Sequence, residues 1–226
     1  MESILQELYA LRDTDYAAFQ AKLIPNLPPE RILGLRMPVL RSYAKTLRKE
    51  PRCATFLEEL PHSFYDENQL HAILLNSICR ELPQSFSLLE SFLPHVDNWA
   101  TCDTLSPGIF ARHPGPVYEK CLEWLQSPHC YTVRFAIDML LKFHLDTEFR
   151  PETLELLAGM KREEYYINMA IAWYMSCALN SQYENTLPLF RQNKLNKWLH
   201  NKSIQKAIES RRIPEERKEL LRKLRR

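Results

Sequence analysis

Apolar residues along this chain recur at intervals of three and four, and prolines cut the pattern near the ends of most runs. In SILQELYALRD the stripe is Ile4, Leu5, Leu8 and Leu11. In PVLRSYAKTLRKE it is Val39, Leu40, Tyr43, Ala44 and Leu47, with Pro38 suited to a first helical turn. That period is the 3.6-residue repeat of an amphipathic helix, not the alternation of a strand. Further helical stretches are expected over 67–81, 84–93, 97–112, 116–126, 129–145, 151–160, 163–179, 183–192, 202–211 and 214–225. Pro51, Pro61, Pro83, Pro94, Pro114, Pro128, Pro151 and Pro214 fall between or at the edges of these runs, where proline starts or stops a helix. Glycine is scarce, at 4 of 226 residues, which argues against sandwiches, Rossmann sheets and phosphate-cradling loops. One helix pair about every 35 residues is the period of a HEAT-type array. The fold expected is all-α: a curved α-solenoid of HEAT-like repeats forming a single domain over 1–226, with no linker or low-complexity tract.

Hydrophobic residues make up 45%, enough for a packed core, but no apolar run reaches the 18 residues of a membrane span. The start, MESILQELYALRD, lacks the basic opening and cleavage site of a signal peptide. Cys53, Cys79, Cys102, Cys121, Cys130 and Cys177 are scattered with no CxxC pair. A reduced, cytoplasmic protein without a metal centre is expected.

The net charge of +2 conceals an asymmetry. Residues 191–226 hold 13 Lys/Arg against 4 Glu, a net of +9, while the remainder carries 17 basic and 24 acidic residues, a net of −7. A basic end on an acidic body favours polyanionic partners. The same charges also suit the water face of a terminal helix, since Leu220, Leu221 and Leu224 in EERKELLRKLRR have helical spacing.

Three polar or bulky intrusions interrupt apolar helices. In YTVRFAIDMLLKFHL, Arg134, Asp138 and Lys142 lie four apart and share one face, either as a ladder in water or as a ligand-facing surface. In VDNWATCDTL, Trp99 and Asp103 are one turn apart. An indole beside a carboxylate receives a cation well, through ring quadrupole and charge together. The alternative is a core Trp99 with Asp103 capping the next helix. In EEYYINMAIAWYMSCAL, Trp173 continues the stripe Tyr166, Met169, Ala170, a pattern common in cores. Asp103 to Arg134 is 31 residues and Arg134 to Trp173 is 39, both near one repeat, so the three suit one face of a solenoid.

With these residues the chain resembles the HEAT-like-repeat DNA alkylation repair family, the AlkD-like alkylpurine DNA glycosylases, from GLRMPVLRSYAK to the C-terminal helices. The family pattern of Trp-x-x-x-Asp, an Arg on the next inner helix and a Trp on the one after falls on Trp99, Asp103, Arg134 and Trp173. The resemblance implies a cofactor-free, monofunctional DNA glycosylase, a hydrolase of N-glycosyl bonds, acting on N3- or N7-alkylated purines in duplex DNA as a monomer. It assigns the four residues to catalysis: Asp103 to the cationic sugar, Trp99 and Trp173 to the deoxyribose and backbone, Arg134 to a phosphate. Lys202, Lys206, Arg211 and Arg212, in NKSIQKAIESRRI, are expected to contact DNA phosphates.

The chain departs from that pattern in LIPNLPPERILGLRMP. The family has a minor-groove helix there, but Pro25, Pro28 and Pro29 predict a loop. Asn98 also replaces the tryptophan that precedes Trp99 in the pattern. These departures point to a paralogous subgroup lacking the DNA-probing helix, and leave two alternatives to a glycosylase: a nucleic-acid-binding paralogue with weak or no excision, and a protein-binding helical scaffold.

Overall fold

A computed structural model describes residues 3–226. The described residues form fourteen α-helices and three short 3-10 turns, and no strand. They fall into two compact units, Met1–His113 and Pro114–Arg226. No described helix is long and apolar enough to cross a membrane.

The first unit holds α1 (Ile4–Ala10), α2 (Thr14–Leu23), α3 (Met37–Leu47), α4 (Arg52–Glu58), α5 (Tyr65–Ile78), α6 (Leu82–Phe92) and α7 (Trp99–Thr104). Alternate helices pack in a row, α3 on α5 and α5 on α7. The second unit holds α8 (Pro114–Trp124), α9 (Cys130–Phe143), α10 (Glu152–Gly159), α11 (Tyr165–Ser181), α12 (Tyr183–Arg191), α13 (Lys197–Glu209) and α14 (Glu215–Lys223). Its alternate helices likewise form a row, α9 on α11 and α11 on α13. This every-second-helix packing is the layer arrangement of a HEAT-like helical repeat. It follows from the sequence: residues 131–140 of α9 are buried all round, and α11 buries Ile167, Ala170, Ile171, Tyr174, Met175 and Ala178 at helical spacing.

Two expected boundaries are corrected. The run 97–112 is not one helix: α7 stops at Thr104, and a 3-10 turn over Gly108–Arg112 follows, because Pro107 cannot extend the ladder. Arg211 and Arg212 lie beyond the last residue of α13, in the turn ahead of Pro214. Two helices, α2 and α4, were not expected. Within α2 only Gln20 is buried, so its sequence carries little apolar stripe.

The proline-rich segment between α2 and α3 is a loop, with one 3-10 turn at Pro29–Arg31. It is also packed: Ile24, Leu27, Ile32, Leu33 and Leu35 are buried. Its backbone is held by Asp66 on α5, which is fully buried. The Asp66 carboxylate accepts the Leu33 N–H at 2.6 Å and the Leu35 N–H at 2.7 Å. Burial pushes its pKa up, and these backbone donors pull it back. Gly34 sits between them at φ +86°, where an added Cβ would lie 2.2 Å from the Asp13 carbonyl oxygen. Arg31 completes the clamp, donating to the Ser63 carbonyl at 2.8 Å and pairing with Asp97 at 3.0 Å.

Candidate functional site

The short helix α7 is built for position, not for stability. Asn98 is its N-cap: the side-chain oxygen accepts the Thr101 N–H at 2.8 Å, and the amide donates to the Thr101 hydroxyl at 3.0 Å. Asn98 is fully buried, so the residue that departs from the family pattern sets the start of the helix. One residue on, the Trp99 indole N–H donates to the Leu23 carbonyl at the end of α2, at 3.0 Å. That bond fixes the ring plane and uses a carbonyl that the helix end leaves without a partner of its own. Asp103 follows one turn later, half-buried, in the last turn of α7. It caps no following helix, since the next one opens at Pro107.

Trp99 and Asp103 line one cleft of about 290 Å³ within the first unit. Leu23, Ile24 and Met37 give it apolar walls, and Asp103 is the one acidic residue among those lining it. Its inner side is a neutral hydrogen-bond chain. The Thr104 hydroxyl donates to the Gln69 side-chain oxygen at 2.9 Å, and the Gln69 amide donates to the Tyr65 hydroxyl at 2.6 Å. Burial pushes the Tyr65 phenol well above its usual range, so the chain stays neutral at physiological pH. A cleft with an indole wall, apolar sides and one carboxylate is suited to holding a flat or ring-shaped group that carries, or develops, positive charge.

Arg134 and Trp173 belong to the second unit. Arg134 is buried on α9 and donates to the Tyr166 carbonyl on α11 at 2.8 Å. Asp138 is buried one turn on and pairs with Lys142 at 2.7 Å. The Arg–Asp–Lys face therefore is not a ladder in water: Arg134 and Asp138 are buried, and Lys142 alone of the three reaches the surface layer. Trp173 is 36% exposed, so the aromatic stripe on α11 leaves the core at this residue. It lines a second cleft, of about 610 Å³, with Lys142, Lys206 and Arg212 and the acidic Asp146 and Glu209. Burial and the neighbouring Lys202 and Arg134 charges lower the pKa of Lys206. Lys202 lies one turn before Lys206 and lines a separate cleft, while Arg211 lines none of the clefts described here.

Sequence reasoning passed over Asp66, Gly34, Tyr65 and Gln69. Nothing in YDENQLH marks Asp66 as buried; the loop folded onto it does. Among the described residues, no group of three or more His, Cys, Asp or Glu side chains is placed to hold a metal ion.

A search of curated proteins returned no match. The family model described as DNA alkylation repair enzyme matches residues 4–210, from α1 through α13, and the chain belongs to that family.

Proposed function

We propose that this protein is a monofunctional DNA glycosylase that hydrolyses the N-glycosidic bond of cationic N3- or N7-alkylpurines. The observation that carries the reading is the Trp99–Asp103 pair, one turn apart on α7 and opening on one apolar cleft. An alkylated purine already bears positive charge. When the C1′–N bond breaks, its electron pair leaves with the base, which departs neutral and needs no general acid. The charge moves to the sugar, which becomes oxocarbenium-like. Asp103 stabilises that cation through space and aligns a water for attack at C1′, accepting its proton as the new C–O bond forms. Trp99, fixed by Leu23, supplies the flat wall against which the sugar rests.

In the second unit, Trp173, Lys206 and Arg212 take the DNA backbone. Arg134 holds that surface through the Tyr166 carbonyl and adds its charge to it. Arginine suits this double duty because its fork makes several directed bonds while staying charged.

Release of 7-methylguanine from methylated duplex DNA tests the reading. Asp103→Asn keeps the shape of the side chain and removes its charge, and release is expected to fall at least tenfold. An unchanged rate removes Asp103 from the mechanism. One feature favours a second reading, a duplex-binding protein with little excision: the segment before α3 is folded onto Asp66, where the family pattern has a DNA-probing helix. Duplex binding by the wild-type protein with no base release selects it.

A further inference from the structure

A strip of aromatic rings runs across the N-terminal ends of α9, α11 and α13 in the second unit. Tyr131 and Tyr166 have ring centroids 5.7 Å apart, Tyr166 and Tyr165 5.4 Å, and Tyr165 and Trp198 6.1 Å. The inner members are covered, Tyr131 being buried and Tyr166 half-buried. The outer two are open: Tyr165 is 58% and Trp198 44% exposed. Two adjacent, exposed aromatic side chains cost solvation and gain little for the fold. The strip is nonetheless held firmly, since the Tyr166 carbonyl is the acceptor of the buried Arg134.

Beside Trp198 lies a cleft of about 530 Å³, lined by Lys197, Trp198, Asn201, Lys202, Gln205 and Arg225. None of these six is acidic, and among the described residues no carboxylate pairs with Lys197 or Arg225. Arg225 is kept there by its neighbour: the Arg226 N–H donates to the Asn201 side-chain oxygen at 2.9 Å, and the Asn201 amide donates back to the Arg226 carbonyl at 2.6 Å. Exposed aromatic rings next to cations are what single-stranded nucleic acid requires, stacking for each base and charge for each phosphate. Duplex DNA has no use for the rings, because its bases are already stacked.

We propose that Tyr165 and Trp198 form a stacking platform for unpaired bases of single-stranded DNA, with Lys197 and Arg225 tracking the adjoining phosphates. The proposal rests on the nucleic-acid reading above and extends it to a second class of DNA structure. Glycosylase chemistry is no part of it.

Fluorescence anisotropy with a twelve-residue oligothymidylate tests it, beside an oligomer of the same length with abasic residues in place of thymidine. The double variant Tyr165→Leu/Trp198→Leu is expected to bind oligothymidylate about tenfold more weakly or worse, while methylpurine release from duplex DNA is unchanged. The wild-type protein is expected to bind the abasic oligomer about as weakly as the variant binds oligothymidylate. Equal wild-type affinity for the two oligomers, or an unchanged variant, overturns the stacking platform. Undetectable binding of single strands overturns it too. Tighter binding of oligouridylate than oligothymidylate overturns the assignment to DNA. Far-UV circular dichroism checks the fold, and Lys197→Glu/Arg225→Glu, which leaves both rings in place, is a second variant expected to weaken oligothymidylate binding and flatten its salt dependence. Loss of duplex excision with single-strand binding intact counts against the glycosylase alone.

Discussion

The two units hold their clefts by different means. In the first, the walls depend on an irregular segment: a proline-rich loop pinned by one buried carboxylate, and a six-residue helix started by one buried asparagine. In the second, the wall is a row of long helices, α9, α11 and α13, packed on one another mainly through apolar side chains, with Arg134 and Asp138 buried among them. Their charge differs as well. Asp103 is the one acidic residue lining the first cleft, while in the second Lys142, Lys206 and Arg212 outnumber Asp146 and Glu209. Under the proposed glycosylase reading the contrast separates two chemical tasks, a developing cation at one cleft and a polyanion at the other. On that reading the chemistry falls to the irregular unit because loops and short helices set individual atoms, whereas packed helices set surfaces.

The two units are expected to respond most differently to a pair of glycine substitutions. Gly34→Ala places a Cβ 2.2 Å from the Asp13 carbonyl oxygen and 2.5 Å from the Ala17 nitrogen, at positive φ. It is expected to cost on the order of 3 kcal/mol. Gly159→Ala, in the second unit, meets nothing within 4 Å and is expected to change stability by less than about 0.5 kcal/mol. Urea denaturation midpoints measure both, and equal effects would erase the distinction between pinned loop and packed helix.

A smaller effect is expected from charge in the basic cleft. Lys206→Glu with Arg212→Glu should weaken duplex binding about tenfold or more and reduce the slope of log affinity against log salt by about 0.9 for each phosphate no longer neutralised. A salt titration of duplex binding checks it. An unchanged slope returns both residues to ordinary surface.

The smallest concerns a buried histidine pair in the first unit. The His62 Nε2 and His71 Nδ1 atoms are 2.8 Å apart, and His71 stacks on Phe92 at 3.9 Å between ring centroids. Burial lowers His62 to about 4 and, with the nearby His62 and His95 charges, His71 to about 2. Both folded values lie below the ordinary 6.5, so the unfolded chain takes up protons first. Stability is therefore kept above about pH 6.5 and is lost as pH falls from there, down to about 4 for His62 and about 2 for His71. The loss is on the order of 1 kcal/mol between pH 7 and pH 6. His62 and His71 imidazole resonances that titrate near 6.5 in the folded protein would contradict it.

Much of the architecture was legible because helical periodicity and proline punctuation are local signals. Val39, Leu40 and Leu47 mark α3, and Pro38 marks its first turn, without knowledge of any partner. The loop before α3 was legible for the same reason, through Pro25, Pro28 and Pro29. What holds that loop was not. Asp66 is 31 and 33 residues from the N–H groups it accepts, and no pattern in YDENQLH distinguishes a buried carboxylate from a solvated one. The pairing of Trp99 with Asp103 follows from helix geometry. The Leu23 carbonyl that fixes the indole lies 76 residues away and is invisible to spacing. Arg134 shows the converse: its face was evident, but its burial against Tyr166 follows only from how α9 meets α11.

The division of labour is tested most directly by single-turnover release of 7-methylguanine at saturating protein, comparing Asp103→Asn with Lys206→Glu/Arg212→Glu. The saturated rate is expected to be at least tenfold slower for Asp103→Asn with duplex affinity kept, and equal to wild type for the charge-reversed variant once excess protein offsets its weaker binding. A full saturated rate in Asp103→Asn, or a slow one in the charge-reversed variant, would contradict it.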